Sequence, residues 1–392
     1  MPLSKSPFCL SSLFAFFLLF SNLSFSGAAE ISASAASQSS PPALSLDDIS
    51  GVYCITADRM FNDPIWDLKI TGVSVRTYWN KVEPEKGKYD WTFLDNVVAR
   101  GREKNKKVKL FVLFGSGVPQ WVNCKFITGS ADSLYDSAGA RVAVPWDENL
   151  RREQKEFIRA FARRYRNEPH VSFLHMAGPS ARWAELALPN NLQKEPGYSN
   201  EAIFESWKQV IDTWAEERGN KRVSCSVSAA PKYYPSLARD IVAYAAGDPL
   251  KADDHGRIGQ DFLPQWCFLD SKFQRGIRES AAQYFPKCII GEQMWGATVW
   301  PDRRCEDYDA TLKLAHDVHS TLVEIYDADL NIPELARKAE ALDAQIHADL
   351  KNPDLVQPLS GPAQSPEAAA KKFDHIKPWT DTTTAPASKS SK

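Results

Sequence analysis

Short apolar runs alternate along residues 48–351 with longer stretches in which apolar positions recur every three or four residues. The short runs predict β-strands, and several, such as residues 108–114, are apolar on both faces, as strands covered on both sides are. Eight strands are predicted, at residues 51–57, 72–78, 108–115, 171–177, 222–228, 257–263, 288–293 and 321–326. This pattern indicates a parallel sheet with helices packed on it.

The stretches between the strands predict amphipathic helices. Phe157, Phe161 and Tyr165 recur at intervals of four residues, and Pro333 stands at a position suited to the start of the last helix. A strand–helix unit repeated eight times in about 300 residues predicts a single-domain α/β protein, a (β/α)8 TIM barrel. The alternative is an open doubly wound sheet, but no GxGxxG turn follows the first strand. We therefore expect a barrel over residues 48–351.

Both ends of the chain differ in composition from this block. Residues 1–29 combine Lys5, an apolar run and a small-residue end at Ala29, which is typical of a secretory signal peptide. Residues 30–47 and 352–392 are poor in apolar residues, so they predict a flexible linker and a low-complexity disordered tail. No second apolar run of about 20 residues is present, so no integral membrane segment is expected after signal cleavage. The mature protein is expected to be secreted or periplasmic.

Charge and cysteine content narrow the set of partners. The 47 basic and 49 acidic side chains nearly balance, so no cationic surface for nucleic acid is predicted. The spacing of the cysteines matches no zinc motif, and neither a metal nor a cofactor is expected. Cys54, Cys225 and Cys288 lie in predicted strands and are interpreted as small buried hydrophobes. An oxidising compartment leaves a disulfide open among the cysteines of predicted loops, which are Cys124, Cys267 and Cys305.

In a (β/α)8 barrel the active site forms at the carboxyl ends of the strands, so residues that end a strand or begin the next loop are the candidates. Three carboxylates stand there: Glu185 after the fourth strand, Glu292 in the seventh and Glu324 in the eighth. Hydrolysis of a glycosidic bond requires paired carboxylates, because one protonates the leaving oxygen while the other attacks or stabilises the anomeric carbon. The candidates for substrate binding are Arg76, Trp79, Trp121, Trp183, Asp261, Gln265, Trp266, Gln293, Trp295, Glu324 and Tyr326.

Tryptophan is the residue type that indicates a sugar ligand. The chain has 12 tryptophans, and indole faces provide flat apolar surfaces for the C–H faces of sugar rings. Those on predicted helices, interpreted as core, are Trp66, Trp91, Trp207 and Trp214. Those in predicted loops after strands are Trp79, Trp121, Trp146, Trp183, Trp266, Trp295 and Trp300. Because surface loops have no general need of so much indole, this clustering favours a carbohydrate.

The second and third strands resemble those of a known superfamily. The segments GVSVRTYWNKVEPEKGKYDWTFLDNVV, from residue 72, and KVKLFVLFGSGVPQWV, from residue 107, carry Arg, Trp, Glu-Pro, Gly and Tyr-Asp-Trp at the spacing of clan A glycoside hydrolases. Over roughly residues 50–350 the chain is most similar to the β-galactosidase-like and cellulase-like families of that clan. It resembles a divergent member.

The resemblance implies a retaining glycosidase with an acid/base Glu at the end of the fourth strand and a nucleophile Glu at the end of the seventh. In this sequence these are Glu185 and Glu292, and Arg76 is expected near the nucleophile. Two positions depart from the clan: HMAGPSARWAEL has no Asn before Glu185, and Tyr326 stands where clan members usually have Trp. Glu324 is therefore kept as the alternative second carboxylate.

Together these observations predict a secreted glycoside hydrolase that cleaves an oligo- or polysaccharide by retaining double displacement. A carbohydrate-binding barrel of the cell envelope that does not cut its ligand stays open, because the missing Asn favours it. A metal-dependent hydrolase is a third interpretation, but His316 and His319 fall on a predicted outer helix as solvated or packing residues. His175, which ends the fourth strand, is expected in the core or in a supporting role. The sugar and its linkage do not follow from the sequence.

Overall fold

The computed structural model shows a closed barrel of parallel strands. It describes residues 44–57, 59–128, 141–179, 186, 188–228, 230–231, 233–248, 251, 253–269, 289–294, 296, 307–317 and 320–351. The barrel strands are β1 (Gly51–Ala57), β2 (Gly72–Tyr78), β3 (Lys107–Leu113), β6 (Val171–His175), β7 (Arg222–Ser226), β8 (Phe262–Leu269), β9 (Gly291–Met294) and β10 (Leu322–Tyr326). Each pairs with the next barrel strand along the chain, and β10 pairs with β1 to close the ring. The predicted (β/α)8 fold class is confirmed.

Helices lie between the strands along the chain. They are α1 (Leu46–Ile49), α2 (Asp63–Asp67), α3 (Trp79–Val82), α4 (Thr92–Glu103), α5 (Glu148–Tyr165), α6 (Asn200–Glu217), α7 (Leu237–Ala246), α8 (Tyr308–Asp317), α9 (Asp327–Leu330) and α10 (Pro333–Leu350). Two of the three longest begin at side-chain caps: Asp147 accepts the Asn149 and Leu150 amides before α5, and Ser199 accepts the Ala202 amide before α6. A hairpin of β4 (Phe126–Thr128) and β5 (Arg141–Ala143) precedes α5.

The predicted strand bounds agree with the structure to within a few residues, with one larger error. The sixth strand was expected at residues 257–263, but β8 begins at Phe262 and continues to Leu269. Gly259 adopts a positive φ of 71° and opens a 3-10 turn over Gly259–Asp261, which keeps this segment out of the sheet. The sixth strand therefore starts later, and the residues assigned to its carboxyl end move to other places.

The amino-terminal half of the barrel interior is apolar. Its inward-facing side chains and one residue of α1 form a cluster made of Ile49, Tyr53, Phe173, Leu263, Ile289 and Leu322. Leu44 and Leu46 pack against this cluster from the chain segment before β1, so they close that end of the barrel. A second, larger core lies between the strands and the helices, as expected for strands covered on both faces.

A buried carboxylate on α10 joins the first two strands to the last helix. Asp343 Oδ1 accepts hydrogen bonds from the Val52 amide at 2.6 Å and from the Thr71 amide at 2.9 Å. Gly51 beside it has φ 132°, and a Cβ there would lie 2.4 Å from Asp343 Oδ1. Burial raises the pKa of Asp343 above its usual value even though these amides and Thr71 act in the opposite direction. The contact requires glycine at position 51.

The expected segment boundaries are partly covered by the structure. Helix α1 begins at Leu46, so the last two residues of the predicted linker, 46 and 47, belong to this helix. The predicted signal peptide, most of the linker and the predicted tail lie outside the described residues. Among the helices that are described, none is long and apolar enough to cross a membrane.

Three cysteines whose side chains the structure describes, Cys54, Cys124 and Cys225, are not in disulfides. Cys54 and Cys225 are buried in strands, which confirms their interpretation as small hydrophobes. Cys124 is half-buried and is not in a disulfide, and burial raises its pKa to about 12. Cys288, Cys305 and the side chain of Cys267 lie outside the described part of the chain.

Removing the Asp343 carboxylate is expected to destabilise the barrel. The substitution Asp343→Ala leaves two backbone donors without their acceptor, at about 1–3 kcal/mol for each donor that stays unsatisfied. Urea unfolding followed by circular dichroism measures the change. Glu340→Ala on the same helix is the matched control, because Glu340 accepts the Lys69 amide at 2.7 Å in an exposed setting where water replaces it. An equal loss for the two variants would contradict the role assigned to Asp343.

Candidate active site

The carboxyl-terminal half of the barrel interior is polar. Lys109 on β3, Gln265 on β8 and Glu324 on β10 are bonded to one another, although these three strands are not neighbours in the barrel. Their side chains therefore meet on the barrel axis. Tyr326 lies two residues beyond Glu324 on β10, nearer the carboxyl end, and its ring is 5.9 Å from the guanidinium carbon of Arg76 on β2. This is the end at which barrels of this type place their active sites.

The axial network binds a buried lysine to a carboxylate and an amide. Lys109 Nζ lies 2.9 Å from Glu324 Oε1 and also donates to Gln265 Oε1. Gln265 Nε2 donates to Glu324 Oε2 at 2.6 Å, which completes a ring of three side chains. Lys109 is fully buried and Glu324 is 2% exposed. Each charge is thus matched by a partner inside the protein, as a buried ion requires.

Glu324 stays ionised in this position. Burial alone would raise its pKa, but the ammonium of Lys109, together with smaller contributions from Ser74 and the guanidinium of Arg76, outweighs that effect and lowers the pKa below its usual value. Glu324 is therefore a carboxylate on the axis over the physiological range of pH. Glu324 precedes Tyr326 by two residues on β10, so its side chain lies one layer deeper in the barrel.

His175 lies on the axis as a neutral side chain. It is on β6, its Nδ1 is 2.9 Å from Ser224 Oγ, and its ring centroid is 3.7 Å from that of Phe111. Burial, with the charges of Lys109 and Arg76, holds its pKa well below the usual value. A neutral imidazole fits the core or supporting role that the sequence predicts.

Three predicted substrate-binding residues meet at the carboxyl end. The guanidinium carbon of Arg76 lies 5.9 Å from the ring centroid of Tyr326 and 6.0 Å from that of Phe111. Gln293 Nε2 donates to the Tyr326 hydroxyl at 2.6 Å. Arg76, Gln293 and Tyr326 therefore form one polar group above the axial network, and their contact with substrate stays a prediction.

The predicted nucleophile Glu292 is not directed to the axis. The register of β9 pairs Gly291 with Gln265 and Gln293 with Glu324, both of which face the interior. The same register pairs Glu292 with Trp266 and Val323, which belong to the core outside the barrel. Because neighbouring residues of a strand point to opposite faces, Glu292 faces the helical layer, where it is fully buried, and Gln293 faces the site.

Trp79 is a core residue and cannot serve as a sugar platform. It is fully buried, and its indole Nε1 donates to Glu83 Oε2 at 2.7 Å. Its ring packs against those of Phe114, Trp121 and Phe157. The helical turn α3 begins at Trp79 and turns the indole into the outer core. The expectation that Trp79 binds substrate is therefore wrong.

Trp121 is half-buried beside Trp79. Its indole Nε1 donates to the Glu83 carbonyl at 3.0 Å, and the ammonium of Lys86 lies 5.9 Å from its ring centroid. The carboxyl group of Glu83 also accepts the Gly87 amide at 2.8 Å. Burial raises the pKa of Glu83. These contacts show Glu83 anchoring the loop after β2, while Trp121 keeps part of its surface exposed.

Two more expected site residues lie elsewhere because the sixth strand starts later than predicted. Trp266 is in β8 and belongs to the core outside the barrel, so the expectation that it binds substrate is wrong. Asp261 precedes β8 at the amino end of the barrel and bonds Arg218 Nη1 at 2.8 Å, with Arg222 Nε at 3.6 Å. Its place at the opposite end of the barrel also rules out the predicted contact with substrate.

Several expectations fall on residues outside the described part of the chain. These residues are Trp183, Glu185, Trp295 and Trp300, and their roles stay predictions. Trp146 is half-exposed, and its Nε1 donates to the Pro196 carbonyl at 3.0 Å. The tryptophans expected in the core are buried or packed against it, and they are Trp66, Trp91, Trp207 and Trp214.

Lys109 is the residue that the sequence analysis missed. It lies within a run that is otherwise apolar on both faces, from Val108 to Phe114. A charged side chain in such a strand must be buried on one face or the other, so it needs a partner of opposite charge. That rule predicts a buried ion pair at Lys109, but the partner is 215 residues away along the chain.

No cluster of three or more His, Cys, Asp or Glu side chains that could hold a metal ion occurs among the residues described. His316, one of the two histidines considered for a metal, has its Nε2 2.7 Å from Asp349 Oδ2 on α10. His319 lies outside the described residues.

Truncation of Trp79 is expected to reduce stability rather than substrate binding. Trp79→Ala removes a fully buried indole and should lower the free energy of unfolding by about 3–5 kcal/mol. Trp121→Ala, its half-buried neighbour, should cost less, about 1–2 kcal/mol. Chemical denaturation of the two variants measures both effects. Equal stability of Trp79→Ala and the wild type would contradict the packing described for this residue.

Comparison with protein families finds one match, over less than a third of the chain. Residues 65–178 match the glycoside hydrolase family 42 model, described as β-galactosidase. This segment runs from α2 through β2, which carries Arg76, and β3, which carries Lys109, to the residues just after β6. No curated protein matches the chain significantly by sequence.

Solved structures with a similar barrel are distant in sequence. Xylanase 10B from Thermotoga maritima is 8% identical, with a TM-score of 0.46, over 71% of this chain and 83% of that one. Endo-glycoceramidase II from Rhodococcus sp. is 16% identical, with a TM-score of 0.49, over 74% and 76%. The β-galactosidase of Marinomonas ef1 is 11% identical, with a TM-score of 0.47, over 83% and 65%. Likenesses this distant carry no argument about function. The resemblance to the clan A glycoside hydrolases rests on the family match, which confirms it over residues 65–178.

Proposed function

We propose that the chain is a glycoside hydrolase that cleaves O-glycosidic bonds of an oligo- or polysaccharide bound at the carboxyl end of the barrel. The observation that carries this proposal is the match of residues 65–178 to the family 42 glycoside hydrolases, which supports an enzyme of that class. The matched segment supplies Arg76 to the polar end of the barrel. No cofactor is part of the proposal.

The geometry of the polar end supports a sugar ligand. Arg76, Gln293 and Tyr326 offer guanidinium, amide and hydroxyl groups, and sugar hydroxyls bind such groups in concave sites. The ring centroids of Phe111 and Tyr326 lie 6.0 Å and 5.9 Å from the guanidinium carbon of Arg76, so aromatic rings adjoin the polar groups. A site that combines the two kinds of surface suits a molecule with hydroxyl edges and C–H faces.

The proposed chemistry is retaining double displacement. A carboxylate attacks the anomeric carbon while a carboxylic acid protonates the departing oxygen, so the glycosidic bond breaks and a glycosyl ester forms. The second group then takes a proton from water, the water oxygen attacks the anomeric carbon, and the ester carboxylate leaves. The resemblance assigns the acid/base role to Glu185 and the nucleophile role to Glu292. Retaining enzymes hold the two carboxyl groups about 5–5.5 Å apart.

The orientation of β9 places a condition on this assignment. Gln293 rather than Glu292 faces the axis, so an attack by Glu292 requires its carboxylate to reach the site around the end of the strand. Glu324, the alternative carboxylate, is ionised but bonded to Lys109 and Gln265 deeper in the barrel. The nucleophile therefore has to be tested by substitution.

A second candidate function is binding of a glycan without cleavage. The observation that favours it is Gln293 at the inward position of β9, because an amide binds hydroxyl groups but does not attack an anomeric carbon. In either case we propose that residues 1–29 direct the protein to the outside of the cytoplasm, as their composition predicts.

A substrate screen with matched variants tests these proposals. We expect the full mature chain to hydrolyse at least one aryl glycoside or polysaccharide of a broad panel, with retention of configuration measured by NMR. Glu185→Gln should lower kcat by about 100-fold or more on substrates with poor leaving groups, since general acid catalysis contributes that much. The two-carboxylate mechanism expects a larger loss for Glu292→Gln. Glu334, an exposed residue of α10, provides the control, and Glu334→Gln should keep full activity.

The outcomes separate the two functions. Hydrolysis by the wild type that survives in Glu292→Gln would remove Glu292 from the mechanism. A wild type that cleaves nothing but binds a glycan, with binding lost in Gln293→Ala, would establish the binding function instead. A wild type that neither cleaves nor binds any member of the panel would overturn both.

A further inference from the structure

The axial network of Lys109, Gln265 and Glu324 lies directly beneath the proposed sugar site. Tyr326 is two residues beyond Glu324 on β10, and Phe111 is two residues beyond Lys109 on β3, so both lie one layer nearer the carboxyl end. The network thus forms the floor on which the residues of the site rest. No role in the proposed reaction follows for Lys109 from the resemblance, which makes its position in this floor informative.

The bonds of Lys109 determine how its two partners are oriented. Its ammonium donates to Gln265 Oε1, and an ammonium has no acceptor, so the Gln265 amide nitrogen must point away from it. That nitrogen donates to Glu324 Oε2 at 2.6 Å, while Lys109 Nζ lies 2.9 Å from Glu324 Oε1. Both oxygens of the carboxylate are therefore held by groups whose direction depends on one ammonium.

We propose that Lys109 is a positioning residue of the site, whose buried ammonium keeps Glu324 charged and Gln265 oriented beneath the sugar-binding residues. The proposal rests on the proposed function, because it concerns how the same site is held. Lys109 does not touch substrate in this proposal. It acts through Glu324, and the charge of Glu324 in turn stabilises the guanidinium of Arg76 at the site.

Electrostatic coupling between the axial network and Arg76 supports the proposed action of Lys109 through Glu324. Arg76 lowers the pKa of Glu324, and interactions of this kind are reciprocal, so the ionised Glu324 favours the positive charge of Arg76. Lys109 and Arg76 also contribute to the low pKa of His175. The titratable or charged groups that face this network are Tyr53 on β1, Arg76 on β2, His175 on β6 and Tyr326 on β10.

The charge of Glu324 has a direct signature in the pH dependence of stability. Because its pKa is lower in the folded than in the unfolded protein, Glu324 contributes stability above about pH 4.3, and this contribution is lost as the pH falls through the folded pKa. Lys109→Met removes the ammonium that opposes the effect of burial, so the pKa of Glu324 in the folded protein should rise above about 4.3. Stability from this group should then fall as the pH increases, which is the opposite slope.

The experiment compares unfolding free energies of the full mature chain from pH 3.5 to 7. We expect Lys109→Met to reverse the contribution of Glu324, and Lys109→Arg to keep the wild-type slope. His175 also changes its surroundings in Lys109→Met, so the double variant Lys109→Met/Glu324→Gln isolates the contribution of Glu324. Identical slopes in Lys109→Met and the double variant would overturn the proposal.

Failure of Lys109→Met to fold at neutral pH would still decide the question. An unpaired buried carboxylate is the expected cause, so adding Glu324→Gln should restore folding. A double variant as unfolded as the single one would show that Lys109 acts by packing alone, and would overturn the proposal.

A functional measurement completes the test. The proposal requires an ionised Glu324 for activity, so protonation of Glu324 should lower kcat/KM. On a glycoside that the wild type cleaves, Lys109→Met should therefore move the acid limb of the kcat/KM profile to higher pH by about one unit or more, and Lys109→Arg should leave it in place. An unchanged profile in folded Lys109→Met would overturn the positioning role. If the wild type neither cleaves nor binds any glycan, the proposed function fails, while the stability slopes still decide whether Lys109 keeps Glu324 charged.

Discussion

Closure of the barrel, through the pairing of β10 with β1, is the constraint on which the rest of the structure depends. Once the ring is closed, every second residue of each strand faces the axis and the others face the helices. Lys109 and Gln265, which are 156 residues apart in sequence, are brought into contact by this geometry alone. The same alternation separates Gln293 from Glu292. Adjacent residues of one strand thus belong to two different environments, the barrel axis and the layer of helices.

The interior is divided into an apolar half and a polar half, and the division has an energetic reason. Burying an ion is unfavourable unless its partners are already in place, so Lys109 is tolerated only together with Glu324 and Gln265. A buried ion pair contributes little to stability compared with apolar packing. Its presence at the end of the barrel that carries the candidate site, and not in the apolar half, favours a functional reason for it.

The fold was predictable from the sequence, and the direction of individual side chains was less so. Runs that are apolar on both faces located the barrel strands, because such runs occur where strands are covered on both sides.

The start of β8 was misplaced because Gly259 opens a turn that the apolar pattern does not record. Glu292 lies in the seventh barrel strand, where the sequence places it, but one residue of register decides which face it points to, and register depends on the neighbouring strands. Trp79 follows β2 as a loop residue would, yet the turn that begins there buries it. Lys109 was missed because its partner is distant in sequence.

The bonds of Asp343 bear on the order in which the chain folds. The carboxylate binds the amide of Val52, 291 residues earlier in the sequence, and the pairing of β1 with β10 spans a similar distance. Contacts between such distant segments form late, because the entropy of closing the intervening chain must be overcome first. During synthesis the first strand is made long before either of its last partners. The barrel therefore cannot close until β10 has been made, and the bonds of Asp343 cannot form until α10 follows. Until β10 is made, the edges of β1 and of the latest finished strand remain open to other chains.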